Sequence, residues 1–139
     1  MKLTRCDYAK LNSKQKESYN FHKVAAVLAD YGFNCIKLDD DWQGADFLAY
    51  HKDGEQTLKV QLKGRLTIDK KYLGKSVHLA FPHRGDWYLV PHDLLVRHLE
   101  ESTTYLKSRS WGSTDGYSSA RPNRATILWL QPFKLGPDR

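Results

Sequence analysis

Gly44-Ala45-Asp46-Phe47-Leu48-Ala49-Tyr50 and Thr57-Leu58-Lys59-Val60-Gln61-Leu62-Lys63 flank Lys52-Asp53-Gly54-Glu55. An Asp-Gly pair between two alternating runs is the strongest short-range hairpin signal, so strands are predicted over 45–50 and 57–62. With Asp53-Gly54 as the turn, paired positions sum to 107. One face then matches Ala45 with Leu62, Phe47 with Val60 and Ala49 with Leu58, all apolar, as a core face requires. The other face matches Asp46 with Gln61, Leu48 with Lys59 and Tyr50 with Thr57, and Lys63 continues the Gln61 side two residues on. Cross-strand partners have Cβ atoms roughly 4.5–5.5 Å apart. The hairpin therefore gathers a carboxylate, an amide oxygen and an ammonium at one end of a sheet.

On the N-terminal side, Asn12 followed three residues later by Gln15 reads as a capping box, and Gly32 as a C-terminal stop. The helix between them, about Asn12 to Tyr31, carries Phe21, Val24, Ala25 and Leu28 at inward spacing. Glu17 falls on the same face, one turn from the start. Two readings of it stand. As a first-turn acid it is favoured by the helix dipole and simply solvated, which the sequence alone favours; alternatively it is aimed at a site where helix meets sheet. Phe33 to Leu38 is a further short strand.

Beyond Lys63 the pattern predicts a second hairpin, Val77–Phe81 and Trp87–Val90, around His83-Arg84-Gly85-Asp86. Pro91-His92-Asp93 opens a helix over roughly Leu94–Glu101, a long polar loop occupies about 102–124, and Thr126–Phe133 reads as a final strand. Arg65, Lys70, Lys71 and Lys75, with Tyr72 among them, form either a phosphate grip or an ordinary solvated loop. Lys107, Arg109, Trp111, Tyr117, Arg121 and Arg124 interleave cations with aromatics, which suits a nucleic-acid surface; the other reading packs those aromatics back on the body. His78, His83, His92 and His98 have no partner pattern.

The 139 residues suit one domain. At 40% hydrophobic and 27% charged the chain is globular, neither disordered nor fibrous. Lys plus Arg number 22 against 16 acids, and the net charge of +6 favours a polyanionic partner. No apolar run approaches the ~20 residues of a membrane span, and no secretory signal is visible. Two cysteines, Cys6 and Cys35, without CxxC spacing fit a reduced, cytoplasmic protein. No zinc pattern occurs among the histidines.

The carboxylate–amide–lysine grouping suits phosphodiester hydrolysis. Asp46 is a hard oxygen donor for Mg²⁺ or Mn²⁺, Gln61 adds a neutral carbonyl oxygen with the Leu62 main-chain carbonyl beside it, and Lys63 reaches water or phosphate. Gly44-Ala45-Asp46-Phe47-Leu48 followed by Val60-Gln61-Leu62-Lys63 resembles the PD-(D/E)xK, or restriction-endonuclease-like, nuclease superfamily, in the Gln-x-Lys form of homing-endonuclease and related branches. The resemblance covers about Lys14 to Arg65. It implies an α/β fold with an αβββαβ core, a central mixed sheet flanked by helices, and metal-dependent DNA cleavage. Asp46, Gln61 and Lys63 match the motif, and Glu17 matches an auxiliary acid. Ala45 replaces the motif's proline, and Gln61 replaces an acid, which removes one negative metal ligand. Cutting both strands at this size needs a second site, so a homodimer or larger assembly is expected. A nuclease-like module that binds without cutting, and an RNA-directed enzyme, are the other readings.

Overall fold

A computed structural model describes residues 1–102 and 116–136. Helix α1, Ser13–Ala29, starts where expected: Asn12 Oδ1 accepts from Gln15 N at 2.8 Å while Asn12 N donates to Gln15 Oε1 at 2.9 Å. These two bonds satisfy donors that a helix start otherwise leaves open. Strands β1 (Phe33–Trp42), β2 (Ala45–His51) and β3 (Thr57–Leu62) follow as an antiparallel meander. The β2–β3 register is the expected one, from Phe47↔Val60 to Tyr50↔Thr57. The connection is longer than a two-residue turn, since His51 N still donates to Gln56 O at 2.8 Å.

After β3 the chain makes β4 (Leu66–Asp69) and a 3-10 turn at Lys70–Tyr72, then enters β5 (Val77–His83) parallel to β3. The crossover between these parallel strands thus carries no α-helix; α2 (His92–Ser102) comes one strand later, after β6 (Asp86–Pro91). The β5–β6 hairpin turns on Arg84-Gly85, both at positive φ (50° and 81°). Among the described residues the main sheet has the order β1-β2-β3-β5-β6-β8, where β8 is Lys134–Leu135, with β3–β5 its parallel pair and the other neighbours antiparallel. This is a mixed α/β fold with a central mixed sheet flanked by helices.

Two expectations fail in the C-terminal part. Residues 116–119, assigned above to a long loop, form strand β7 (Gly116–Ser119), which pairs antiparallel with β4 as a separate ribbon. The predicted strand over 126–133 is instead helix α3 (Arg124–Leu130) and a 3-10 turn, and only Lys134–Leu135 (β8) joins the sheet. A short apolar run fits either periodicity. Asn123 decides it by accepting from Thr126 N at 2.8 Å, after which Thr126 and Leu130, four apart, face inward while Leu128 is 62% exposed.

Each sheet face has its own core. Phe21, Val24 and Leu28 of α1 cover Phe47, Ala49, Val60, Leu62, Ala80 and Trp87. On the opposite face, Leu79, Phe81, Tyr88 and Val90 pack against Leu95, Val96 and Leu99 of α2, Leu130 of α3, and Leu66 and Ile68 of β4. Phe47 is fully buried with its ring edge-on to Phe21, centroids 5.2 Å apart. Phe47→Ala is expected to cost about 3–5 kcal/mol, and Leu128→Ala to stay within about 0.5 kcal/mol; urea unfolding of the two variants checks the assignment of faces. Cys6 and Cys35 are free thiols. No helix among the described residues is long and apolar enough to cross a membrane.

Candidate functional site

The hairpin register continued one pair beyond Phe47↔Val60 sets Asp46 against Gln61. Asp46 Oδ2 accepts from Leu62 N at 2.8 Å, so its side chain ties β2 to β3 where the ladder ends. Burial pushes the Asp46 carboxyl above its ordinary pKa. The Leu62 N–H works against that rise, the charge of Glu17 adds to it, Lys63 opposes it, and Asp41 adds a little more. A carboxylate held partly desolvated among other acids is one that a cation would stabilise.

Gln61 pairs with Leu79 and lies on the α2 side of the sheet, 5% exposed. Its Oε1 is buried and has no hydrogen-bond partner. Such an acceptor costs about 1–3 kcal/mol, which makes it the atom most in need of a ligand at this sheet end. Lys63 N donates to Ala80 O at 2.9 Å, so β5 fixes the backbone from which the lysine projects. Lys63 Nζ stands 5.7 Å from the centroid of the Tyr72 ring, and Lys71 Nζ stands 5.2 Å from it.

Tyr72 is 2% exposed. Its ring is therefore the floor beneath Lys63 and not part of a solvated loop. Burial, then the charges of Asp46, Asp41 and Asp69, push its phenol well above the ordinary value. The start of α2 holds this floor in place. Asp69 N donates to His92 Nε2 at 3.2 Å, which leaves the proton on Nδ1 to be donated to Asp93 Oδ1 at 3.0 Å. Asp93 Oδ2 in turn accepts from Gly74 N at 3.0 Å. His92 is therefore a satisfied structural histidine.

Asp41 was not singled out in the sequence. Gln43-Gly44 is a two-residue turn, with φ of 54° and 84°, that pairs Trp42 with Ala45. Asp41 Oδ1 accepts from Gly44 N at 3.0 Å, and its charge reaches both Asp46 and Tyr72. The Gln-Gly pair was the available signal. A Cβ on Gly44 would meet Tyr72 Cδ1 and Val77 Cγ2 at 3.2 Å. Gly44→Ala is expected to lose about 1–2 kcal/mol from the left-handed backbone alone and to shift Tyr72. Thermal unfolding, with tyrosine absorbance as a local probe, reads both effects.

The other candidates disperse. Glu17 is half exposed with Oε1 3.8 Å from Lys37 Nζ, so it acts on Asp46 through its field and forms a weak surface ion pair with Lys37. Lys70, Lys71 and Lys75 lie in or just after the 3-10 turn, where the Lys75 carbonyl accepts from Lys59 Nζ. Arg65, Arg121 and Arg124 converge on a separate cavity. Tyr117 is half-buried against the α2-side core. Lys107, Arg109 and Trp111 lie outside the described residues. Among the described residues no three His, Cys, Asp or Glu side chains gather in a metal-holding group; at this site an amide oxygen joins the acids.

No family model and no curated protein matches the chain. Solved structures similar to the chain include two nucleases. The Archaeoglobus fulgidus Hjc Holliday junction resolvase shares 15% identity at a TM-score of 0.46, over 57% of this chain and 75% of its own. The bacterial homing endonuclease I-Ssp6803I shares 14% at a TM-score of 0.47, over 88% of this chain and 94% of its own.

Proposed function

We propose that the chain is a metal-dependent DNA endonuclease that hydrolyses phosphodiester bonds at the Asp46–Gln61–Lys63 sheet end. The observation that carries this reading is the buried, unpartnered Oε1 of Gln61 set against a carboxylate whose own surroundings favour a cation. These are hard oxygen donors, the type Mg²⁺ or Mn²⁺ takes. Asp46, Gln61 Oε1 and the Leu62 carbonyl would hold the ion, and the charge of Glu17 adds to the field that favours it. A bound divalent ion supplies charge neutralisation at phosphate and more acidic water.

The chain's own residues do the rest. Lys63, anchored through its N–H to β5, presents an ammonium to the non-bridging oxygens of a phosphate and to an attacking water, and so favours the charge that builds up in the transition state. The Tyr72 ring face beneath it keeps the ammonium on the open side without competing for it through an anion. The net charge of +6 draws DNA to the site. A homodimer or larger assembly would supply the second cut, and the two free cysteines suit a cytoplasmic setting.

The second reading, a nucleic-acid-binding module that does not cut, is favoured by the lack of a three-ligand acid, His or Cys group among the described residues. Plasmid assays separate the two. Nicking of supercoiled DNA in Mg²⁺ or Mn²⁺ that stops with EDTA, and is not competed by RNA, is the expected result. Salt-sensitive binding without nicking in either metal would transfer the assignment to the binding module.

A further inference from the structure

β4 and β7 together bring a second set of cations to one place. The Leu66↔Ser119 to Asp69↔Gly116 ladder lays the chain after β7 beside Arg65, and Arg65 Nε donates to Ser118 Oγ at 2.6 Å. The result is an open cavity of about 840 Å³, whose wall includes Arg65, Arg84, Arg121, Arg124 and Lys134. Among the described residues Asp86 is the one carboxylate on that wall, and it is paired with Lys134 at 3.2 Å. Four arginines therefore line the cavity, and among the described residues no carboxylate of its lining is paired with any of them. Pro82, Tyr88 and Ile127 contribute apolar wall, and the volume is within the roughly 300–1,000 Å³ of ligand sites.

Arg84 gives an independent sign. It takes the first position of the two-residue β5–β6 turn at φ 50°. Turns of this geometry favour Asn or Gly there, and a side chain with a Cβ costs roughly 1–2 kcal/mol in the left-handed region. The turn itself would be better served by asparagine or glycine at this corner. What the position does provide is a guanidinium on the cavity wall.

We propose that this cavity is a second phosphate-binding site, which grips backbone phosphates of the DNA strand next to the phosphate held at Lys63. Its location along the DNA rests on the nuclease reading above, because Arg65 is two residues from Lys63 and its Cα lies within ~7 Å along the chain. Guanidiniums bind phosphate oxygens in pairs of parallel hydrogen bonds, so a wall of four suits a run of phosphates. The site acts in binding and positioning; the reacting atoms stay at Lys63.

The test is fluorescence anisotropy on a labelled DNA duplex across a salt series, in EDTA so that no strand is cut. Arg84→Asn removes the charge and leaves a residue the turn prefers, so its melting temperature is expected to equal or exceed that of the unchanged protein. Its DNA affinity is expected to fall about 5–10-fold at 0.1 M salt, with the slope of log K against log salt shallower by about 1. Arg121→Gln/Arg124→Gln is expected to make the slope shallower by about 2. Wild-type affinity and slope in both variants, with the fold intact, would overturn the proposal. The nuclease reading fails separately, by an absence of metal-dependent cutting in the unchanged protein, which this titration does not register.

Discussion

Asp46→Asn is expected to remain folded, to be no less stable than the unchanged chain at neutral pH, and to cut DNA on the order of 10²–10³-fold more slowly. The asparagine Oδ1 still accepts from Leu62 N, so the tie between β2 and β3 persists. What disappears is the negative charge. Burial has raised the Asp46 pKa in the folded chain, so the folded state binds this proton more tightly than the unfolded state does. Stability from this group therefore falls as pH rises from the ordinary value of 3.8 through the raised folded value, and above that window the ionised carboxylate is a constant cost. Urea midpoints at two pH values read this directly. The variant should match or exceed the unchanged chain at pH 7, and the difference should vanish at low pH, where both forms are neutral. A variant clearly less stable at pH 7 would mean that Asp46 is a structural carboxylate.

Gln61→Leu is the second large effect, and it runs in opposite directions for folding and for activity. Leu79 is its neighbour on the α2-side face, so an apolar side chain of similar length suits the surroundings. Removing an acceptor that has no partner should recover about 1–3 kcal/mol in metal-free buffer. The same change removes the neutral oxygen donor from the proposed metal site. Thermal melts with and without Mn²⁺ distinguish the two contributions, because a ligand that binds only the folded state raises the melting temperature by mass action. The expected pattern is a higher melting point without metal, a smaller rise on adding it, and cleavage down by on the order of 10²-fold or more. A variant that keeps the full metal-induced rise would remove Gln61 from the site.

Much of this arrangement was legible in the sequence because a hairpin register has only one free parameter. Asp53-Gly54 and the alternating apolar face fixed the sum at 107. That sum survives the longer connection actually seen, closed by His51 N and Gln56 O, because opening a turn by one residue on each side leaves the pairing unchanged. Asn12 with Gln15 likewise located the start of α1, since both halves of a capping box are local, while its end falls at Ala29, two residues short of the expected Tyr31. The Arg84-Gly85 turn was legible in the same way, between two strand-like runs, whereas Asp41 was not, because the Gln43-Gly44 turn it closes is a weaker turn signal than Asp-Gly.

The remainder depends on tertiary placement. Tyr72 is the floor under Lys63 only because the chain from β3 to β5 passes through β4 and a 3-10 turn held by His92 and Asp93, and no local pattern states that path. The α3 segment was misread because Ile127, Leu128, Trp129 and Leu130 satisfy a strand pattern as well as a helical one. The convergence of Arg65 with Arg121 and Arg124 depends on the β4–β7 ladder, whose strands lie about fifty residues apart in sequence.

In this nuclease reading Lys63 acts on a phosphate beside Asp46 and Gln61. The most direct measurement is single-turnover cleavage of supercoiled plasmid and of a branched duplex in Mg²⁺ or Mn²⁺, comparing the unchanged protein with Lys63→Ala, each at saturating enzyme. Metal-dependent cutting that falls on the order of 10²–10⁴-fold in Lys63→Ala, with DNA binding in EDTA retained, is the predicted result. Cutting at an undiminished rate in Lys63→Ala would contradict the account and place the chemistry elsewhere on the chain.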